Sequence, residues 1–363
     1  MRSHPIIFLL FILIAFFLLN WVIYFPIVRA YKPSRKTRGL IILVLLVLTF
    51  VLVWGELLKR IWGVYWLSLI GNIWLGVLAI LFTLMVINLL ILLIIPKISR
   101  YSTTLLLFLA VFLSIVSYYN NLRPPQIIEY DIYSDKISED ADPFKIVLTS
   151  EFHLMSNTNI KRLERNLIAI NRLDPDAIII AGDLIDEPYD KLKHLAPYFY
   201  TLNPQLGIYA VPGNHDYYSK IGSYYSFTQD AGIINLLNDN IYITEDIILA
   251  GVTDRTASID PPDVEKAMKG IDTDKYIIFI SHQPLYYKEA ISYSADLILG
   301  GHTHRGQIPP LSFFIGLFFR YPYGLYEENG VSIYTTSGID TWGPPMRLFS
   351  RNEIAVFNIY PQK

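Results

Sequence analysis

Four apolar runs dominate the first third of this 363-residue chain. They cover residues 5–25, 40–58, 73–95 and 101–118. Each run is close to the about 20 residues that a helix needs to cross the hydrocarbon core of a bilayer, and the last is slightly short. The sequence therefore predicts an all-α bundle of four transmembrane helices within residues 1–120.

A cleaved signal peptide is the alternative for the first run alone. That run is too long and too evenly apolar for a signal peptide, and Asn20-Trp21-Val22 does not form a small-residue cleavage site. We therefore expect a true membrane span there.

The distribution of Lys and Arg in the short loops predicts the orientation of the bundle, because basic loops stay in the cytoplasm. The first and third loops carry most of these residues, namely Arg29, Lys32, Arg35, Lys36, Arg38, Lys97 and Arg100. The opposite side carries only Arg2, Lys59, Arg60 and Arg123. We expect a multi-pass protein of the cell membrane, with both termini and the C-terminal domain on the extracytoplasmic side.

Few polar side chains interrupt the apolar runs. Glu56 lies near the end of a run, and Asn20, Asn72 and Asn88 occur singly. A transport path is one interpretation of intramembrane polar residues. Single asparagines more often link neighbouring helices, and deep pairs of ionisable groups are missing from these runs.

The rest of the chain has the composition of a folded α/β domain. A polar connector containing Pro124-Pro125 is predicted over residues 121–142, followed by a domain over 143–363 in which short β-branched runs alternate with a few helical segments. This pattern predicts two packed sheets covered by helices. The net charge of −2 indicates no nucleic-acid partner. The chain has no cysteine, so a metal site must use nitrogen and oxygen ligands.

Short motifs in this domain contain five of the seven histidines. In order, they are Glu151-Phe152-His153, Gly182-Asp183, Gly213-Asn214-His215-Asp216, Ser281-His282 and Gly300-Gly301-His302-Thr303-His304. Most follow an apolar run, so we expect their side chains to lie at strand ends. Each motif alone is also typical of a turn or a surface segment. Together they predict one site that binds two metal ions.

The ordered series resembles the calcineurin-like metallophosphoesterase superfamily over about residues 144–360. The tail Gly343-Pro344-Pro345-Met346-Arg347-Leu348 resembles its membrane-associated bacterial branch. The resemblance implies a four-layer αββα sandwich. It also implies that Glu151, His153, Asp183 and His304 bind the first metal ion. Asp183, Asn214, His282 and His302 would bind the second, and Asp183 would bridge both.

The chemistry of this ligand set fits the implied pair of divalent ions. Imidazole and amide oxygen suit Mn, Fe, Zn or Ni, and a bridging carboxylate offsets repulsion between two dications about 3.5–4 Å apart. Two such ions would lower the pKa of a bound water and neutralise charge on a phosphoryl group. The resemblance further implies that His215 is the catalytic residue that protonates the leaving oxygen.

Three features depart from the family pattern or extend it. Glu151 replaces the expected Asp, which moves the carboxylate by one methylene and can weaken the first metal site. Arg305 replaces the usual Gly, and either contacts the substrate phosphate or points to solvent. Residues 308–319 are rich in Phe, and form either a buried loop or an apolar patch that enters the bilayer.

These observations predict a metal-dependent phosphoesterase, a hydrolase of phosphate monoesters, diesters or pyrophosphates. A lipid-linked substrate is the first candidate, because the domain is anchored to the lipid bilayer. The alternative is a catalytically degenerate membrane sensor or scaffold that binds a phosphorylated ligand, which Glu151 motivates. The sequence does not indicate an oligomeric state.

Overall fold

The computed structural model describes residues 5–362, with side chains from residue 16 onward except that of residue 60. Eleven α-helices lie within this range. They are α1 (Pro5–Tyr31), α2 (Arg35–Trp62), α3 (Tyr65–Ile94), α4 (Ser99–Leu122), α5 (Ile160–Asn171), α6 (Tyr189–Leu192), α7 (Asn214–Tyr218), α8 (Ile221–Asp230), α9 (Val264–Ala267), α10 (Tyr287–Ser292) and α11 (Leu311–Phe314).

Twelve β-strands follow the first four helices in this part of the chain. They are β1 (Gln126–Ser134), β2 (Phe144–Thr149), β3 (Ala177–Ala181), β4 (Ile208–Val211), β5 (Ile234–Asn235), β6 (Asp239–Tyr242), β7 (Ile247–Gly251), β8 (Tyr276–Ile280), β9 (Leu297–Gly300), β10 (Gly324–Glu328), β11 (Val331–Thr335) and β12 (Glu353–Pro361).

The chain divides into two compact units. The helical unit contains α1 to α4 together with Ile308–Ser312 and Gly343–Phe349. The sandwich unit contains Arg123–Gln307, Phe313–Trp342 and the chain from Ser350 onward.

Within the described residues of the helical unit, three stretches are long and apolar enough to cross a membrane, namely Arg35–Lys59, Tyr65–Ile94 and Pro96–Leu122. The described part of α1 adds a shorter apolar stretch, Phe16–Tyr31. Four spans, and the extracytoplasmic position of the domain, stay predictions.

The polar side chains of the helical unit link neighbouring helices, as one sequence interpretation expected. Asn88 Nδ2 on α3 donates a hydrogen bond of 2.9 Å to Thr103 Oγ1 on α4. Asn72 Nδ2, also on α3, donates one of 2.8 Å to Glu56 on α2. Glu56 also pairs with Lys59 at 3.0 Å. The hydrogen bonds of Asn88 and Asn72 therefore act as structural links between helices.

The sandwich unit has two mixed sheets of six strands each. The strand orders are β1-β12-β2-β3-β4-β5 and β10-β11-β9-β8-β7-β6. Apolar side chains from the inner faces, such as Ile146 and Ile278, form a core between the sheets, and both are fully buried. Helices cover the outer faces, with Leu167 of α5 on one side and Ala290 of α10 on the other. The predicted four-layer αββα sandwich is confirmed.

Parallel pairing brings the motifs to one edge of the sandwich. In the first sheet β2, β3 and β4 are parallel neighbours, and in the second β8, β9 and β11 are parallel neighbours. Each of the five motifs begins at the carboxyl end of one of these strands. Because ligands bind beyond the carboxyl ends of parallel strands in such folds, this edge is the natural position of a site.

A strand lies within residues 121–142, the segment predicted as a connector. Helix α4 ends at Leu122, and Gln126–Ser134 then forms β1, which pairs in parallel with β12 over its whole length. The side chains of β1 alternate between partly buried and exposed, as expected for a strand at the edge of a sheet. This alternation was present in the sequence as Ile128-Glu129-Tyr130-Asp131-Ile132, and the polar composition concealed it.

Candidate metal centre

The first metal-ligating group consists of Glu151, His153 and His304. Glu151 Oε2 lies 3.0 Å from His153 Nε2 and 2.9 Å from His304 Nε2, and the two nitrogens are 3.2 Å apart. Glu151 is fully buried, and both histidines are almost so. One carboxylate oxygen and two ring nitrogens therefore converge on a single point.

In this group the ring orientations direct nitrogen lone pairs toward the point where the ligand atoms converge. His153 Nδ1 lies 2.9 Å from Asp186 Oδ1, so Nδ1 carries the proton and Nε2 presents its lone pair to Glu151 and His304. Lone pairs that face one another repel unless a cation or a proton lies between them. A buried carboxylate with two imidazoles is a donor set for a divalent metal ion.

The second group consists of Asp183, His282 and His302, with Asn214 beside them. His282 Nε2 lies 3.3 Å from Asp183 Oδ2, 3.2 Å from Asn214 Oδ1 and 3.2 Å from His302 Nδ1. His282 Nδ1 donates to the main-chain oxygen of Ala181 at 2.8 Å, which directs the Nε2 lone pair into the group. Four acceptor atoms converge here, and they also fit a divalent ion.

Electrostatics favour positive charge between these side chains. Burial lowers the pKa of His282, but the carboxylates of Asp183 and Glu151 outweigh burial and raise that pKa to about 10. Burial and the neighbouring His282 lower the pKa of His302 to about 4. The field that favours a proton on His282 also favours a metal cation at the same position.

Asp183 belongs to the second group. Its Oδ1 accepts a hydrogen bond of 2.8 Å from the main-chain N–H of His215, and its Oδ2 faces His282. Burial lowers the pKa of His153, but the carboxylates of Asp186 and, less strongly, Asp183 help to raise it above its usual value. The bridging role of Asp183 stays a prediction.

Glycines in the motifs make the close packing of these side chains feasible. A Cβ on Gly182 would come within 2.7 Å of His282 Cγ, and Gly182 has φ 85°. A Cβ on Gly213 would come within 2.5 Å of the Asp183 nitrogen. Both motifs therefore need glycine for a steric reason as well as for the turn.

The backbone is strained at the ligands themselves. Five of the predicted metal ligands have positive φ values although none is glycine. They are Glu151 (61°), His153 (45°), Asp183 (53°), His302 (71°) and His304 (48°). Such conformations cost about 1–3 kcal/mol each and cluster at functional sites. The strands therefore hold the ligand loops in an arrangement that local propensity opposes.

His215 lies beside the first group, on the first turn of α7. Its Nδ1 is 3.0 Å from Asp186 Oδ1, the same oxygen that faces His153. Burial raises the pKa of Asp186, but His153 and His215 outweigh it and hold that pKa below its usual range. Asp186 is therefore an anion that orients both rings.

Aromatic side chains flank His215 on the surface. The rings of Tyr218 and Trp342 lie edge-on to it, with centroids at 5.5 and 5.4 Å. Trp342 is held by Gln307, whose Nε2 donates to its oxygen and whose Oε1 accepts from its nitrogen. Both aromatic residues are more than half exposed, so they are available to a bound molecule.

Arg305 is exposed, and its guanidinium lies 4.3 Å above the ring of Tyr323. Tyr323 in turn donates a hydrogen bond of 2.9 Å to the buried carboxylate of Glu353. A cation–π contact fixes the direction of the arginine side chain. Contact between Arg305 and a phosphate stays a prediction.

The structure brings all seven predicted metal ligands and His215 to one edge of the sandwich, and their roles stay predictions. Sequence reasoning missed Asp186 and Ser150. Asp186 follows Asp183 by three residues, and a second acid close to a ligand is a weak signal. The Ser150 hydroxyl lies 2.7 Å from Glu151 Oε1, and nothing in the sequence distinguishes it from an ordinary residue at a strand end.

Known proteins resemble this chain most clearly over the sandwich unit. The calcineurin-like phosphoesterase family matches residues 144–306. A metallophosphoesterase of Aquifex aeolicus is 33% identical over 244 residues, which cover 64% of this chain and 91% of that protein. A metallophosphoesterase of Helicobacter pylori strain J99 is 35% identical over 250 residues, covering 68% and 66%.

A relative from Danio rerio is named a transmembrane protein with metallophosphoesterase domain. It is 34% identical over 267 residues, which cover 69% of this chain and 61% of that protein. The chain thus spans slightly less than two thirds of the Danio rerio and Helicobacter pylori relatives. The family match and these identities show that the chain belongs to the calcineurin-like phosphoesterase family.

Proposed function

We propose that this protein is a membrane-bound, metal-dependent phosphoesterase. The observation that carries the proposal is the convergence of two groups of buried acceptor atoms beside His215. Bound divalent ions would supply Lewis-acid activation of water and charge neutralisation at phosphorus. The protein's own residues position those ions, orient the substrate and supply a proton.

In this proposal Glu151, His153 and His304 hold one ion, and Asn214, His282 and His302 hold the other. Asp183 contributes to both positions. The acceptors are nitrogen and oxygen atoms, which suits Mn, Fe, Zn or Ni.

His215 acts on the leaving group. Its Nδ1 proton faces the Asp186 carboxylate at 3.0 Å, so Nε2 is the nitrogen that can deliver a proton. The carboxylate fixes the ring orientation. The rings of Tyr218 and Trp342 flank His215 and are available to a bound substrate.

A lipid-linked phosphate ester or pyrophosphate is the substrate class that we infer. The apolar helices place the domain beside a bilayer, and extracytoplasmic lipids carry phosphate esters there if the predicted orientation holds. A soluble substrate would need no such anchor.

The direct test is hydrolysis of a generic aryl phosphodiester by the purified full-length chain with added Mn. We expect activity that chelation removes and that Asp183→Ala lowers by on the order of 10³-fold. Asp274→Ala, which changes an exposed loop carboxylate, is the matched control and should leave the rate unchanged. Hydrolysis that survives both chelation and Asp183→Ala would refute the proposal.

A non-catalytic sensor that binds a phosphorylated ligand is the second candidate, motivated by Glu151. The contacts of Glu151 favour catalysis, because its carboxylate already faces two imidazoles despite the longer stem. Glu151→Asp separates the two candidates. An inert wild type together with an active Glu151→Asp variant would establish the sensor.

A further inference from the structure

An exposed apolar segment follows the last metal motif. Five of the eight residues 311–318 are large apolar side chains that lie open to solvent. They are Leu311 (48% exposed), Phe313 (56%), Phe314 (51%), Leu317 (80%) and Phe318 (67%). A contiguous apolar patch of this kind marks an interaction surface rather than ordinary surface variation. We refer to residues 311–318 as the apolar loop.

The sandwich unit buries its phenylalanines elsewhere. Phe199, Phe227, Phe279 and Phe357 are all fully buried in its cores. The exposure of Phe313, Phe314 and Phe318 is therefore a local property of the apolar loop, and the fold has no general lack of space for aromatic rings.

The apolar loop begins in the helical unit. Ile308–Ser312 belongs to the helical unit, and Ile308 is buried in the same core cluster as Leu78 and Met85 of α3 and Leu106 of α4. Both helices are long and apolar enough to span a bilayer. Phe313 is the next residue after Ser312, so the exposed rings continue directly from a segment packed on membrane helices.

The other end of the apolar loop reaches the metal ligands. Phe319 follows Phe318, and its ring centroid lies 5.5 Å from that of His302. Arg320 comes next and its side chain is 60% exposed, although it also lies 3.6 Å from Glu328. Phe and Leu side chains beside basic residues are typical of segments that lie in a membrane interface.

We propose that the apolar loop inserts into the lipid bilayer, where acyl chains cover the exposed rings of the loop. Lipid is the occupant because the segment is continuous with residues packed on the membrane-spanning helices. Phe319, whose ring lies beside that of His302, directly follows the inserted residues. The consequence for the substrate rests on the proposed phosphoesterase function. The site then takes amphiphilic phosphate esters directly from the membrane.

The absence of cysteine allows a clean test, since one introduced cysteine is the only thiol in the chain. Phe318→Cys and Leu317→Cys would each carry a polarity-sensitive fluorophore on the full-length protein in phosphatidylcholine vesicles. A second set of vesicles contains lipids with nitroxide quenchers on their acyl chains. Ile259→Cys is the matched control, because Ile259 is apolar, 96% exposed and outside the apolar loop.

We expect blue-shifted emission at positions 317 and 318 and at least about twofold quenching by the nitroxide lipids, with neither effect at 259. Emission typical of water at both loop positions would overturn the proposal. A blue shift without quenching would also overturn it, because protein, for example a second copy of the chain, would then cover the loop. Equal quenching at 259 would overturn it as well.

The same measurement in an Asp183→Ala background separates this inference from the proposed function. Insertion requires no catalysis, so quenching should persist in that variant. Quenching in a wild-type chain that hydrolyses no phosphate ester would support the apolar loop as a membrane contact and refute the phosphoesterase.

Discussion

The two groups of candidate metal ligands are oriented by different means. In the first group a carboxylate, Asp186, holds His153 and also holds His215. In the second group a main-chain oxygen, that of Ala181, holds His282. The first group therefore shares its orienting residue with His215, the candidate general acid, whereas His282 of the second group is oriented by a main-chain oxygen of β3. Changes near the first group should affect metal binding and proton transfer together.

The largest expected effects come from removing one histidine of either group. His304→Ala and His282→Ala should each reduce the metal content by about one ion per chain and lower kcat by on the order of 10³-fold. Elemental analysis and steady-state rates with an aryl phosphodiester check both variants. If one variant kept full activity, the ion of that group would be unnecessary for the reaction.

Asp186→Asn tests the shared orientation of the first group. An amide cannot accept from two Nδ1–H groups with the strength of an anion, so activity should fall about 10–100-fold. The pair Asp186→Asn and His215→Ala should be strongly non-additive, because Asp186 acts partly through His215.

Asn358→Ala, which removes an exposed partner of Asp131, is the matched control for that cycle. Additive losses in the double variant would show that Asp186 does not act through His215, and would remove the main difference between the two groups.

Glu151→Asp tests whether the first group is built for the longer side chain. Glu151 Oε1 accepts a hydrogen bond of 2.6 Å from the His302 main-chain N–H, while Oε2 faces His153 and His304. A shorter stem cannot reach all three, so affinity for the first ion should fall about tenfold. The measurement is a metal titration in which activity reports the affinity for the first ion. Tighter binding in the Asp variant would show that Glu151 weakens the site.

Ser150→Ala should have the smallest effect. The single hydroxyl proton of Ser150 can go to Glu151 Oε1 at 2.7 Å or to the Ala181 oxygen at 3.0 Å, so its contribution to the carboxylate is divided. We expect a loss of activity of about threefold, the lower range for one hydrogen bond. Ser226→Ala, on the surface of α8, is its control. A loss as large as that of Glu151→Asp would mean that Ser150 fixes the carboxylate.

Much of the fold could be predicted because apolar runs are local signals. Ile178-Ile179-Ile180 indicates a buried strand without knowledge of its partners, and β3 contains it. The family motifs likewise predicted which side chains lie close together. In the described structure the ligand atoms of Glu151, His153 and His304 form one group.

Other features depend on contacts between residues distant in sequence. Ile308 and Met346 pack in the helical unit. Both lie about two hundred residues after the end of α4, and no local sequence pattern assigns them to that unit. The role of Asp186 depends on a turn that places one oxygen between His153 and His215. Trp342 contacts His215 from a backbone that Gln307 holds by two hydrogen bonds. Tertiary packing, rather than composition, determines all three.

The number of metal ions per chain tests the central claim most directly. Full-length protein loaded with Mn and dialysed against metal-free buffer should contain two ions per chain by elemental analysis, and Asp183→Ala should contain fewer than one. One ion or none in the wild type, or an unchanged count in Asp183→Ala, would contradict a two-metal site bridged by Asp183.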